Sequence, residues 1–308
     1  MNNLRLKNKT LSQEDLFNFS ELFKLMKPRV MSLVIFTCAV GLLTAPNLVS
    51  TKDAIIGILL VSIGAGAAGA LNMWYESDLD ALMTRTCLRP IPTGQVSKNQ
   101  ALFFGVLLSV GSVTLLYFSS NLMSAFLLLL TICFYFFIYT VWLKKRTPQN
   151  IVIGGAAGAL PPVIGWTIAT GSLSIEPLIL FLIIFLWTPS HFWALSIYKS
   201  DDYKKAKIPM LPIIYGIEKT KKNIFIYSLL MLPTISAPYF ISFLSEIYFY
   251  PALALTIYYI YLCGTLLKVK KSTEVNTLAR KIFLYSIFYL FIIFLLILSD
   301  HLFTRLYG

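Results

Sequence analysis

The charge-free runs of this chain leave it very few folds. They cover residues 30–51, 54–75, 99–143, 147–175, 177–198, 223–245, 247–267 and 282–299. About 20 predominantly apolar residues cross a bilayer as a helix, and a helix satisfies its backbone polar groups without help from water. The run 99–143 is twice that length, and Ser119-Ser120-Asn121 supplies a turn within it. Nine transmembrane helices are expected, near 30–47, 54–75, 100–118, 122–143, 151–170, 177–198, 224–243, 248–267 and 281–300. The alternating pattern of a membrane barrel is absent. The fold class is therefore all-α: a polytopic bundle forming one integral-membrane domain over 1–308, with 1–23 as a polar tail.

The net charge of +12 would point to nucleic acid in a soluble chain. Its distribution argues against that. With a cytoplasmic N-terminus, 24 of the 26 Lys and Arg fall in the first 29 residues and in segments 76–99, 144–146, 199–222 and 268–281. Only Lys52 and Arg305 remain for the other side. By the positive-inside rule the N-terminus and every long loop are cytoplasmic and the C-terminus lies on the outer face. A bacterial inner membrane fits best. The tail mixes its basic residues with Glu14, Asp15 and Glu21 and leads into no cleavable apolar segment, so no signal or transit peptide is expected. Cys38, Cys87, Cys133 and Cys263 have no CxxC spacing and read as small apolar residues.

The second predicted span ends in acid. Asn72, Glu76 and Asp80 recur every four residues, which on a helix places them on one face. Asp78 offers a further oxygen nearby. Oxygen ligands suit Mg²⁺, which keeps coordination positions for substrate phosphates. A solvated helix end would account for the acids alone, but Asn72 lies inside the apolar run, where a carboxamide calls for a reason. Arg85 and Arg89 follow, each able to present a planar fork to phosphate oxygens. Lys144, Lys145 and Arg146 end the fourth span; topology explains such a cluster, and a phosphate contact by one of the three, Lys145 or Arg146 foremost, is the functional alternative.

A second cytoplasmic loop, 199–222, repeats the theme of acids, bases and paired prolines, with Asp201 and Asp202 beside Lys199 and Lys204. Asp78 and Asp202 are 124 residues apart, each after an even-numbered span. This spacing suggests two four-helix halves around a shared cavity, with the ninth helix left over. Asp201 and Asp202 read as a second metal or diphosphate clamp facing the first, with a local ion-pair network as the alternative. His191 is the one histidine inside a predicted span: a structural hydrogen-bonded residue, a contact to haem iron or a base. His301 reads as interfacial. The small-residue stretches 64–70 and 154–159 suit close helix packing, or room for a wide flat ligand.

Asn72-x-x-x-Glu76-x-x-x-Asp80 resembles the first acidic motif of the UbiA superfamily of intramembrane prenyltransferases. Lys27-Pro28-Arg29, Ala70-Leu71-Asn72-Met73-Trp74-Tyr75-Glu76, Arg89-Pro90-Ile91-Pro92-Thr93-Gly94, Thr147-Pro148-Gln149-Asn150, Trp187-Thr188-Pro189-Ser190-His191-Phe192-Trp193, Asp201-Asp202-Tyr203 and Pro209-Met210-Leu211-Pro212 narrow the likeness. Together they are similar to the haem-farnesylating branch, the protoheme IX farnesyltransferases, over about 24–220. That resemblance implies a nine-helix UbiA-like bundle that joins farnesyl diphosphate to a vinyl group of haem B, with water added and diphosphate released. It implies Mg²⁺ as cofactor on Asn72, Glu76 and Asp80, with Asp202 as a further catalytic acid. It implies substrate contacts from Arg85, Arg89, Lys145, Arg146, Lys199, Asp201, His191 and Tyr139, and haem A synthase as a downstream partner. One departure stands out. The family's second motif has aspartates four residues apart, whereas here Tyr198 holds the earlier position. Prenylation of an aromatic quinone precursor is the rival within the superfamily; a haem-binding transporter or chaperone is the rival from another class.

Overall fold

The structure, a computed structural model, describes residues 19–47 and 49–307, Arg29 by its backbone alone. Most of the expected polar tail lies outside the described residues, as does the tail's reading as free of a signal or transit peptide. Among the described residues every regular element is helical. In chain order they are α1 (Phe19–Leu25), α2 (Pro28–Leu43), α3 (Thr51–Asp80), α4 (Lys98–Ser119) and α5 (Leu122–Cys133). A π-helix over Phe134–Leu143 continues α5. Then come α6 (Asn150–Ala159), α7 (Pro161–Thr170), α8 (Ile175–Tyr198), α9 (Ser200–Lys205), α10 (Leu211–Ile214), α11 (Gly216–Phe240), α12 (Glu246–Lys268) and α13 (Ser272–Tyr307).

Eight described helices, α5 with its π extension and α6 with α7 each counted as one, are long and apolar enough to cross a membrane. The pair α1 and α2, bent by 64°, makes a ninth when taken as one span. The chain is a multi-pass membrane protein. The bend has a local cause: the Pro28 ring disfavours right-handed helix at Lys27. Lys27 adopts φ 54° and ψ 56° instead. The break between α6 and α7 falls at Pro161-Pro162, which cannot continue the helical hydrogen bonding.

Two apolar cores organise the bundle. One joins α2, α3, α4, α5 and α7 through Leu42, Val61, Leu116, Leu128 and Ile164. The other joins α8, α11, α12 and α13 through Ile183, Trp193, Ile235, Tyr259 and Phe294. The ninth helix is therefore not left over, as the spacing of the acidic loops suggested. α13 is central to the second core, where Trp187 Nε1 donates to the Ser286 carbonyl at 2.9 Å. The fifth span divides between the two, because its proline break lets α7 pack on α2 while α6 packs on α8.

The small-residue stretches serve packing. A Cβ on Gly165 would lie 2.0 Å from the Cys38 carbonyl oxygen, and one on Gly41 would lie 2.0 Å from that of Pro162. α2 and α7 thus cross with their backbones in contact, as small residues permit in membranes. At Gly154 the missing Cβ is replaced by the ring of Tyr139, and Gly66 admits Met26. These spaces are filled by the chain's own side chains.

Candidate active site

α3 carries the site because it is longer than a bilayer needs. Thirty residues of helix extend about 45 Å, against about 30 Å of hydrocarbon. Its last turns therefore bring Asn72, Glu76 and Asp80 to the polar end of the bundle on a helix already anchored by apolar packing. All three are buried, Glu76 at 2% exposure and Asp80 at 1%. Each meets a cation. Lys27 Nζ donates to Asn72 Oδ1 at 2.7 Å, Lys144 Nζ to Glu76 Oε2 at 2.5 Å, and Arg89 Nη1 to Asp80 Oδ2 at 2.7 Å.

Three other segments aim those cations. The left-handed turn at Lys27 directs the chain between α1 and α2 toward Asn72. The loop after α3 folds back so that Thr86 Oγ1 donates to the Asp80 carbonyl at 2.9 Å, which holds Arg89 in reach. The π-helix ends at Lys144, whose amide donates to the Tyr139 carbonyl five residues back at 3.0 Å. Asn150 Nδ2, at the start of α6, donates to the Lys144 carbonyl at 3.2 Å and fixes the turn between.

The pairing is incomplete in an informative way. Glu76 Oε1 and Asp80 Oδ1 are buried with no hydrogen-bond partner among the described residues. Leaving a buried charged acceptor unsatisfied is costly. Two such oxygens on one helix face beside a carboxamide oxygen form a donor set that fits a hard divalent cation. Among the described residues no three His, Cys, Asp or Glu side chains are placed to hold a metal ion together. Two carboxylates and a carboxamide still suffice for Mg²⁺, which keeps water and substrate phosphates in its shell.

Other expected residues fall at varying distances from this centre. Asp78 is 87% exposed at its side chain and pairs with Lys98 at 2.9 Å, so it faces away from Glu76 and Asp80 and does not join them as an oxygen donor. Two residues beyond Glu76 on a helix is about 200° of rotation. Asp202 is buried, and Thr84 Oγ1 donates to both of its carboxylate oxygens at 2.8 Å, joining the two acidic loops. Asp201, its neighbour, is exposed. Lys199 is half-buried, 6.0 Å from the Tyr198 ring centre. Arg85 and Arg146 are exposed, and among the described residues neither side chain enters a hydrogen bond or an ion pair. Lys145 is exposed and lies 5.3 Å from the Tyr75 ring centre. Of the three basic residues that end the span, Lys144 reaches Glu76, because the π register turns it inward, while Lys145 and Arg146 stay exposed. Tyr139 packs against Gly154 and meets the Tyr135 ring at 5.4 Å, tilted by 35°.

His191 is packed between two rings, Trp187 at 4.3 Å and Phe283 at 4.6 Å, and its Nδ1 shares a 2.7 Å hydrogen bond with Ser286 Oγ. It belongs to the α8–α13 contact. Lys27, Thr84 and Thr140 lie at the site although the sequence assigns them no role of their own, and Lys144 was expected only as one of a basic cluster. Lys27 had a signal in its Lys-Pro-Arg string; the others had none beyond proximity to charge.

Residues 33–298 match the UbiA prenyltransferase family. A curated protein of Pelagibacter ubique (strain HTCC1062), named "Protoheme IX farnesyltransferase", is 70% identical to this chain, covering 97% of it and 99% of that relative. Among solved structures, one described for digeranylgeranylglyceryl phosphate synthase superposes with a TM-score of 0.76 at 19% identity, covering 94% of this chain and 99% of that one. A UbiA homolog from Archaeoglobus fulgidus bound to GPP and Mg²⁺ superposes with a TM-score of 0.62 at 16% identity, covering 88% and 99%. At such identities the structural likeness speaks for the fold alone.

Proposed function

The chain belongs to the UbiA prenyltransferase family, and from that premise we propose that it farnesylates haem B, as the name of its Pelagibacter relative says of that protein. The farnesyl group leaves farnesyl diphosphate and bonds to a vinyl carbon of haem B. Water takes the resulting cation and gives up a proton, so the products are haem O and diphosphate. The observation that carries this reading is the α3 face, where two buried carboxylate oxygens with no partner among the described residues stand beside three basic side chains.

Asn72, Glu76 and Asp80 would hold Mg²⁺, and the chemistry it supplies when bound is neutralisation of charge on the departing phosphate. The chain's own residues do the rest. As the allylic C–O bond breaks, its electron pair stays on the diphosphate, and positioned cations stabilise that growing charge. Lys144 and Arg89 are placed for this, Arg89 with a fork suited to two phosphate oxygens. Asp202, held by Thr84, is the proposed catalytic acid of the second loop, with Lys199 and Asp201 beside it. Arg85, Lys145 and Arg146 form an outer basic rim that draws diphosphate in. Tyr139 lines the site, and the buried faces of α3 and α8 exclude water from the farnesyl cation. His191, at the α8–α13 contact, would be the residue of that region that contacts haem B. The site opens to the cytoplasmic side of a bacterial inner membrane, with the C-terminus outside, and haem A synthase would take the product. The whole chain acts as one membrane domain.

The test is incubation of the purified protein with haem B, farnesyl diphosphate and Mg²⁺, read by mass and absorption. A gain of one hydroxyfarnesyl unit on haem is expected. No gain, with a prenylated aromatic acid formed in its place, would overturn the reading.

A further inference from the structure

We infer that Thr140 is a positioning residue that fixes which end of the Asn72 carboxamide faces the charged centre. The inference rests on the reading of Asn72 as a metal-binding oxygen donor.

A carboxamide offers an acceptor oxygen at one end and two donor hydrogens at the other, and only its neighbours decide which way round it sits. Asn72 is buried, and its Nδ2 lies 3.1 Å from Thr140 Oγ1. A threonine hydroxyl has one hydrogen to give. Here it goes to the Tyr135 carbonyl, 2.8 Å away, an oxygen that can only accept. Toward Asn72 the hydroxyl therefore shows lone pairs, and they select the NH₂ end. The other side of the carboxamide faces Lys27 Nζ at 2.7 Å, and an ammonium there has only hydrogens to offer and selects oxygen. Both neighbours impose one orientation, with Oδ1 on the side of the cations.

The π-helix makes this possible. In an α-helix a threonine hydroxyl bonds to the carbonyl three or four residues back. Thr140 reaches back five, to Tyr135, as the wider π turn allows. The same stretch of helix delivers Lys144 to Glu76. One irregular segment thus orients a neutral donor and places a cation.

The experiment compares Thr140→Val, Thr140→Ser and Asn72→Ala in the purified full-length protein. Mn²⁺ affinity is read by electron paramagnetic resonance in the presence of inorganic diphosphate, and kcat and KM are read in turnover. Thr140→Val keeps the shape and loses the acceptor; a roughly tenfold or greater loss of Mn²⁺ affinity is expected, the usual effect of removing a group that orients a ligand. Thr140→Ser keeps the hydroxyl and should restore affinity to within about twofold, a rescue that mere packing would not give. Should Thr140→Val bind Mn²⁺ like the parent while Asn72→Ala loses affinity, the inference is overturned and the reading of Asn72 stands. Parent-like affinity in Asn72→Ala would overturn that reading, and the inference with it. A serine variant as impaired as the valine one would also overturn the inference, by assigning Thr140 to packing.

Discussion

The two acidic loops look alike in sequence and differ in structure. On α3, residues four apart stay on one unbroken helix, so Asn72, Glu76 and Asp80 share a face and are buried together. After α8 the helix stops at Tyr198, and Asp201 and Asp202 sit on the separate short helix α9. Adjacent residues on a helix point about 100° apart. Only one of that pair turns inward, and it is Asp202. The first segment buries three oxygen-bearing side chains against three basic ones, and the second buries one carboxylate, held by Thr84. Acids at helical spacing build a site when the helix continues beneath them; acids in sequence do not.

The sharpest way to break this comparison is to neutralise one acid of each kind. Asp80→Asn is expected to lower kcat by about 10²–10³-fold, the scale seen when one preorganised electrostatic group is removed. Asp201→Asn should stay within about twofold. Equal losses would mean that the loops are equivalent.

A smaller effect separates neighbours of like charge. Lys144→Gln removes the charge-assisted bond to Glu76, and kcat/KM for farnesyl diphosphate should fall about 10- to 100-fold. Lys145→Gln, on the exposed side, should change it less than about threefold. Steady-state kinetics on both variants decide this, and the reverse ranking would refute the inward placement of Lys144.

The link between the loops is weaker again. Thr84→Val removes the donor to both Asp202 oxygens, and an approximately tenfold fall in kcat is expected, with Thr84→Ser near the parent. The smallest effect belongs to the exposed pair. Asp78→Asn should leave activity unchanged and shift stability by less than about 1 kcal/mol, read as thermal unfolding in detergent. A large loss of activity there would return Asp78 to the centre.

Much of this was legible in the chain. Apolar run length gave the helices, because lipid leaves backbone groups no partner but their own segment. The four-residue spacing of Asn72, Glu76 and Asp80 gave their common face for the same local reason. The positive-inside asymmetry gave an orientation, and the family strings gave the chemistry to expect. What spacing misplaced was Asp78, counted with the acids although helix geometry turns it away, and the ninth helix, whose partner α8 lies far off in sequence.

The sequence by itself determined the helices, the buried face of α3 and the family, since these depend on residues within a few turns of one another. Tertiary structure alone decided the partners of that face. Lys27, Arg89, Lys144 and Thr140 come from a proline-induced bend, a folded-back loop and a π-helix. No local pattern shows which cation meets which acid across 45 or 68 residues of chain. That choice is made where helices pack, because a buried charge must find its counterion in whatever segment lies beside it.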